Sequence, residues 1–179
     1  MNDRLLHNWD VDLNEAKKIQ ERLSKHLVLE PYTLSKTIVA GIDVSFRKST
    51  QEASAAIAVM SYPQLRIIEI SIARIKMKFP YIPGFLAFRE APAIFEAWGK
   101  LKTKPNLLVF DGQGMAHPRR FGLACHLGVL FDLPSIGCAK SHLYGDFTEP
   151  SPEKGAYSPI IDPVKKDKIG AAVRTRNNV

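Results

Sequence analysis

The sequence predicts an α/β layer fold with a mixed β-sheet. Three observations carry this expectation. An amphipathic helical pattern opens the chain. Three strand-length apolar runs follow with only short polar connections, which implies an antiparallel meander. Two shorter apolar runs then alternate with helical patterns, which implies β–α–β crossovers.

Residues 14–27 place Ala16, Ile19, Leu23, His26 and Leu27 at helical spacing with Lys, Gln, Glu and Arg between them, and "EPY" ends the pattern. Residues 37–46 are apolar and β-branched. Residues 53–60 follow the polar turn "RKSTQE", and residues 65–75 follow "SYPQ". The stretch "FPYIPGFLAFREAP", residues 79–92, comes next. Its two prolines stiffen a loop that carries Tyr81 and Ile82, and Gly84 gives it conformational latitude. Residues 85–101 read as a helix with Phe88, Ile94, Phe95 and Trp98 as its apolar surface, and Pro92 inside it demands a kink or a late start. Residues 106–110, "NLLVF", form a short buried strand that ends at Asp111-Gly112. Residues 119–131 read as a helix with Leu123, Leu127 and Leu130 on one side. Residues 135–139 are a further strand ending at Lys140, and beyond "YGDFTEPSPEKGAYSP" the chain reads as basic loop. No internal repeat or low-complexity segment interrupts this single-domain pattern.

Composition bounds the function. A chain of 179 residues that is 45% hydrophobic can bury one good core. No apolar run approaches the roughly 18 residues that span a bilayer, and the opening "MNDRLLHNWD" lacks an apolar signal region, so a cytoplasmic protein without membrane contact is expected. Cys125 and Cys138 show no zinc-ligand spacing and are expected to be reduced core thiols. A net charge of +7 and a pI near 9.5 favour a polyanionic partner such as nucleic acid.

In open α/β sheets, sites gather at the carboxyl ends of strands. Three residues stand there: Asp43 in "IVAGIDVSF", Asp111 in "LLVFDGQG" and Lys140 in "GCAKSHL". Each has an ordinary structural reading: a strand-end cap, an Asp-Gly turn, an ion pair with a neighbouring carboxylate. Glu90, on the 85–101 helix, has one too, as a solvated carboxylate. Together the two aspartates and the glutamate can converge over a sheet and hold Mg²⁺ or Mn²⁺, hard ions that prefer carboxylate oxygen. Such a site activates water against a phosphodiester, and Lys140 would stabilise charge there. Arg119 and Arg120 in "HPRR" sit at the start of the 119–131 helix, where they could grip phosphate or merely decorate a surface. His142 could reach a phosphate or a base. Nothing forms a Ser/His/Asp triad, a P-loop or a dinucleotide fingerprint.

With "GIDVSF", "FPYIPGFLAFREAP" and "VFDGQGMAHPRRFGLACHLGVLFDLPSIGCAKSHL" in view, the chain from about Asn14 onward resembles endonuclease V, the deoxyinosine-directed nuclease of the RNase H-like superfamily. The resemblance implies an RNase H-like mixed sheet flanked by helices. It implies an enzyme of DNA repair that finds deaminated adenine and cuts the second phosphodiester on its 3′ side. It also implies metal ligands at Asp43, Asp111 and Glu90, a catalytic lysine at Lys140, and a wedge at Pro80, Tyr81, Ile82 and Pro83. The implied lesion pocket is Gly84, Leu86, Gly112, Gly122 and Leu143, with Arg89, His117, Arg119, Ser141 and His142 completing the substrate-binding set. The expected partner is deoxyinosine-containing DNA, with inosine-containing RNA as the alternative, and the expected state is a monomer. Two features depart from the family pattern. Gln113 stands where His or Asn is usual, and the family continues past "RTRNNV" to an active-site histidine segment, so a lesion-binding chain without turnover is a further alternative.

Overall fold

A computed structural model describes residues 2–33 and 37–177. The centre of the fold is β1 (Thr37–Arg47), flanked by β2 (Glu52–Tyr62) and β3 (Ile67–Lys76) on one side and by β4 (Leu107–Phe110) and β5 (Ser135–Gly137) on the other, in the order β3-β2-β1-β4-β5. β1, β2 and β3 run antiparallel, whereas β4 pairs parallel with β1 and β5 parallel with β4. The sheet is therefore mixed, as the short and long connections imply.

Alternation decides which face is covered. Ala40 and Ile42 on β1, Ala53, Ala55, Ile57 and Val59 on β2, and Leu108 and Phe110 on β4 are buried beneath the helices. Three helices meet over this face: α1 (Leu13–Ser24), α2 (Leu86–Trp98) and α3 (Leu123–Phe131). α2 lies on β2 and β3, α3 on β4 and β5, and α1 on α3. The alanines of β2 and Ala91, Ala93 and Ala97 of α2 are all buried in the same core, small residues that let helix and sheet approach closely. Ser71 Oγ donates to the Ala97 carbonyl at 2.7 Å and satisfies one open acceptor at the C-terminus of α2. The opposite face of β3 leaves Ile68, Ile70 and Ile72 exposed.

The helices differ in detail from the sequence pattern. α1 is capped by Asp12, whose side chain accepts from the Glu15 amide at 2.9 Å. α2 runs through Pro92, which removes the bond that the Phe88 carbonyl would receive; flanking residues Ala91, Ala93 and Ile94 are all buried, so packing outweighs that loss. The helix expected from residue 119 starts instead at Leu123, because Arg120 has φ +51° and Gly122 is extended at φ −80°, ψ −171°.

The C-terminal stretch expected to be loop contains a hairpin, β6 (Tyr157–Ile161) and β7 (Lys168–Val173). Ile160 and Ile169 bury a small second cluster with Ala116. Arg120 ties this hairpin to the body of the domain through Asp162 at 2.7 Å and through Asp167. Cys125 is buried as expected, but Cys138 is exposed, one residue past the edge strand β5. No helix is long and apolar enough to cross a membrane among the described residues.

Candidate active site

Register places the two aspartates. β1 and β4 pair in parallel through Ile42 and Phe110, so Asp43 and Asp111 follow side by side on neighbouring strands, with Cα atoms roughly 4.8 Å apart. The Asp111 amide donates to the Ile42 carbonyl at 3.0 Å and extends the pairing to that point. Asp43 lies within β1 and Asp111 one residue past the end of β4, and both line one cleft. Asp43 accepts from the Val44 amide at 2.8 Å.

Glu90 joins them from α2. Burial, then repulsion from Asp43 and from Asp111, pushes its carboxyl up to about 8, with only a partial offset from Arg89. Lys140 follows β5 and forms an ion pair with Asp111 Oδ2. Its ammonium is held charged more firmly than usual, first by that hydrogen bond and then by the charges of Asp111 and Asp43. A cleft of about 560 Å³ opens over Asp43, Asp111, Cys138 and Lys140, and Val173 and Thr175 close one side of it. Those last two residues belong to the hairpin region read from sequence as loop.

As placed, no three His, Cys, Asp or Glu side chains among the described residues form a ready ligand group. The chemistry of the donor set nevertheless fits a hard divalent cation. Three carboxylates share one region, one of them is driven to hold a proton, and a lysine offsets part of the charge. A cation bound by Asp43 and Asp111 would relieve that repulsion.

The 79–92 stretch is built as the sequence suggests. Pro83 and Gly84 are the central residues of a turn closed by the Phe85 amide on the Ile82 carbonyl at 3.0 Å, and Gly84 has φ +82°. Proline followed by a positive-φ glycine is the requirement of a type II turn. Tyr81 is 68% exposed, and Ile82 and Pro83 flank it. Arg89 lies 4.3 Å from the centre of the Phe46 ring and 5.8 Å from that of Tyr81, so it links the loop to the end of β1. Leu86, half-buried, opens α2 just behind the turn.

The remaining expected residues divide. Ser141, His142 and Leu143 are exposed beyond Lys140, where the Gln113 side chain donates to the Ser141 carbonyl at 2.7 Å and His142 Nε2 donates to the Gly145 carbonyl at 2.7 Å. Gly112 and Gly122 are buried, and a Cβ on Gly122 would lie 2.3 Å from the Gln113 carbonyl oxygen. Gly122 therefore lets α3 seat against the "DGQG" turn rather than opening a pocket itself. His117 is 2% exposed, and burial lowers its pKa to about 4. Its Nε2 donates to the Gly84 carbonyl at 3.0 Å. Arg119 also bonds that carbonyl and Gln20, and Arg120 is spent on Asp162 and Asp167. The expected phosphate-gripping role of the arginine pair gives way to internal bracing, because each guanidinium finds a partner within the fold.

Sequence reasoning missed Phe46 and Gln20. Gln20 carried a readable signal. It lies on the apolar stripe of α1 with Ala16, Ile19 and Leu23, so a polar side chain there must find a buried partner.

A mixed sheet that brings two aspartates and a lysine together beside a helical glutamate points to a class, the nucleases of mixed α/β fold. The chain belongs to the Endonuclease V family, whose family model matches residues 21–179. This membership makes it an endonuclease, a hydrolase of deoxyribonuclease type. It is 54% identical over 167 residues to Endonuclease V of Rippkaea orientalis, which covers 93% of this chain and 72% of the relative. It is 47% identical to Endonuclease V of Methanothrix thermoacetophila over 179 residues, 100% of this chain and 78% of the relative. Among solved structures, the Bacillus subtilis protein superposes with TM-score 0.88 at 33% identity, covering 97% of this chain and 76% of that one. The Ciona intestinalis protein, solved with a 24mer DNA containing an inosine followed by a ribo-adenosine, superposes with TM-score 0.76 at 30% identity over 90% of this chain and 76% of that one.

Proposed function

We propose that this chain is a divalent-metal-dependent endonuclease that recognises deoxyinosine in DNA and hydrolyses the second phosphodiester on the 3′ side of the lesion, in DNA repair. The observation that carries the reading is the cleft lined by Asp43, Asp111 and Lys140, with Lys140 paired to Asp111 and Glu90 of α2 near enough for both aspartates to oppose its ionisation. The inosine-containing DNA bound by the Ciona relative supplies the substrate class.

Asp43 and Asp111 would hold Mg²⁺ or Mn²⁺, with Glu90 as a third oxygen ligand or as the group that orients water. The cation, when bound, supplies Lewis acidity toward the phosphate and makes water acidic enough to attack near neutral pH. Glu90, beside both aspartates, would orient the attacking water once a cation offsets the repulsion that keeps it protonated. Lys140, on Asp111, stands where it can stabilise the charge that develops on the phosphate. Tyr81 and Ile82 are presented on a stiff turn and would enter the stack as the base leaves it.

The test is nicking of an end-labelled duplex carrying one deoxyinosine, with Mg²⁺ or with chelator, the product being mapped at single-nucleotide resolution. Metal-dependent cutting at the second 3′ phosphodiester is expected; cutting that persists in chelator, or at random positions, contradicts the reading. A second substrate is favoured by one observation, the ribo-adenosine that follows inosine in the Ciona complex. A 2′-hydroxyl contact would appear as faster cutting of matched inosine RNA than of DNA.

A further inference from the structure

One backbone carbonyl, that of Gly84, accepts from two buried side chains and one half-buried arginine. Gln20 Nε2 reaches it at 3.1 Å, His117 Nε2 at 3.0 Å and Arg119 Nη2 at 2.6 Å. The donors bond one another as well. Gln20 Oε1 accepts from Arg119 Nε at 2.6 Å, and His117 Nδ1 accepts from the Arg119 amide at 3.1 Å. The second bond fixes the histidine as the Nε2–H tautomer. Gln20 is 1% exposed and His117 2%. A carbonyl offers two lone pairs, so three donors over-determine its orientation.

The location gives this network its meaning. Gly84 is the pivot between the proline-stiffened segment with Tyr81 and the first turn of α2, which carries Glu90. Glycine has the widest conformational freedom of any residue, so an unclamped Gly84 would let the segment swing relative to the carboxylates. The clamp comes from α1 and from the turn ahead of α3, elements distant in sequence that do not touch the cleft. We infer that Gln20 is a positioning residue: with Arg119 and His117 it locks the Gly84 pivot, so that the Tyr81–Ile82 wedge is set before it meets DNA. This rests on reading that segment as the lesion wedge. Preorganisation lowers the ordering cost of binding and leaves the chemical step alone. Discrimination of inosine from normal DNA therefore depends on Gln20, while the cutting rate of bound substrate does not.

The test uses the full chain with Gln20→Met, which keeps the side-chain volume and removes the hydrogen bonds to Gly84, Phe121 and Arg119. Arg119→Lys, which keeps the charge and loses the bridge, is a second variant should the first fail to fold. Three quantities are measured: amide exchange in residues 79–85, Kd for matched inosine and undamaged duplexes, and single-turnover nicking at saturating DNA. The expected result is faster exchange confined to that segment and a Kd for inosine DNA raised about tenfold, as loss of one or two such bonds implies. Kd for undamaged DNA and the saturating rate stay within about twofold of the unsubstituted chain. Unchanged exchange, equal weakening on both duplexes, or a loss confined to the saturating rate overturns the assignment. Should the unsubstituted chain not prefer inosine DNA, the functional reading fails, and the exchange data still decide whether Gln20 locks the pivot.

Discussion

The acidic centre and the Gly84 clamp lie at the two ends of one short segment and are built on opposite principles. At the clamp charge and polarity are matched: Gln20, His117 and Arg119 bond one another and a single carbonyl, with Gln20 and His117 buried. At the acidic centre the charges are left under-compensated. Asp43, Asp111 and Glu90 share one lysine, and Glu90 is driven to about 8. The difference separates two tasks. A fully satisfied network holds geometry, whereas a group of carboxylates that repel one another waits for a cation.

The two regions also respond to pH with opposite signs, and this gives the sharpest ways to break the comparison. Glu90 titrates at about 8 in the fold against an ordinary value of 4.5. Between those values the folded state keeps a proton that the unfolded state has released, so without metal its contribution to stability is lost as pH rises from 4.5 toward 8. Glu90→Gln is therefore expected to reduce nicking by at least about a hundredfold. In chelator at pH 8 the same change should raise Tm. An unchanged Tm there would show that neither burial nor the neighbouring aspartates raise the Glu90 carboxyl.

His117 behaves in reverse. Its pKa falls from 6.5 to about 4, so the folded state resists a proton that the unfolded state accepts, and stability is lost as pH falls from 6.5 toward 4. His117→Ala also leaves the Gly84 carbonyl and the Arg119 amide each short of a partner. The expected cost is about 2 kcal/mol at pH 7, shrinking toward pH 4, read from urea unfolding at several pH values. A cost independent of pH would mean that the fold does not lower the proton affinity of the histidine. The smallest effect expected is that of Tyr81→Ala, whose ring is mostly exposed. It should weaken binding to inosine DNA about fivefold to tenfold and binding to undamaged DNA less, because an apolar wedge acts only where a base leaves the stack. Equal losses on both duplexes would make Tyr81 a general DNA contact.

Much of this molecule was legible in its sequence, and the legible parts share a cause. The first three strands of the main sheet announce themselves by apolar, β-branched runs and short polar turns, β4 and β5 by short apolar runs between helical patterns, and the strand-end rule alone singled out Asp43, Asp111 and Lys140. What stayed hidden depends on partners far away along the chain. Arg119 reads as a phosphate ligand until Gln20 and Gly84 are seen beside it. Arg120 reads likewise until Asp162 and Asp167 arrive from the C-terminal hairpin. That hairpin was itself obscured, since Pro159 lies within β6 and lysines fill the turn. The helix expected from Arg119 starts later for the same reason, because tertiary bonds hold the arginines outside it. Gln20 was the exception, a polar residue on an apolar stripe that local reasoning could have flagged.

The central claim is that Asp43 and Asp111 form a metal-dependent centre for cutting inosine-containing DNA. The most direct measurement is single-turnover nicking of a deoxyinosine duplex in Mg²⁺ by the unsubstituted chain, Asp43→Asn and Asp111→Asn, each matched for folding by its Tm. The account predicts cutting by the unsubstituted chain and a loss of at least about a hundredfold in both variants, with inosine binding retained. Nicking by either variant at the unsubstituted rate would contradict it.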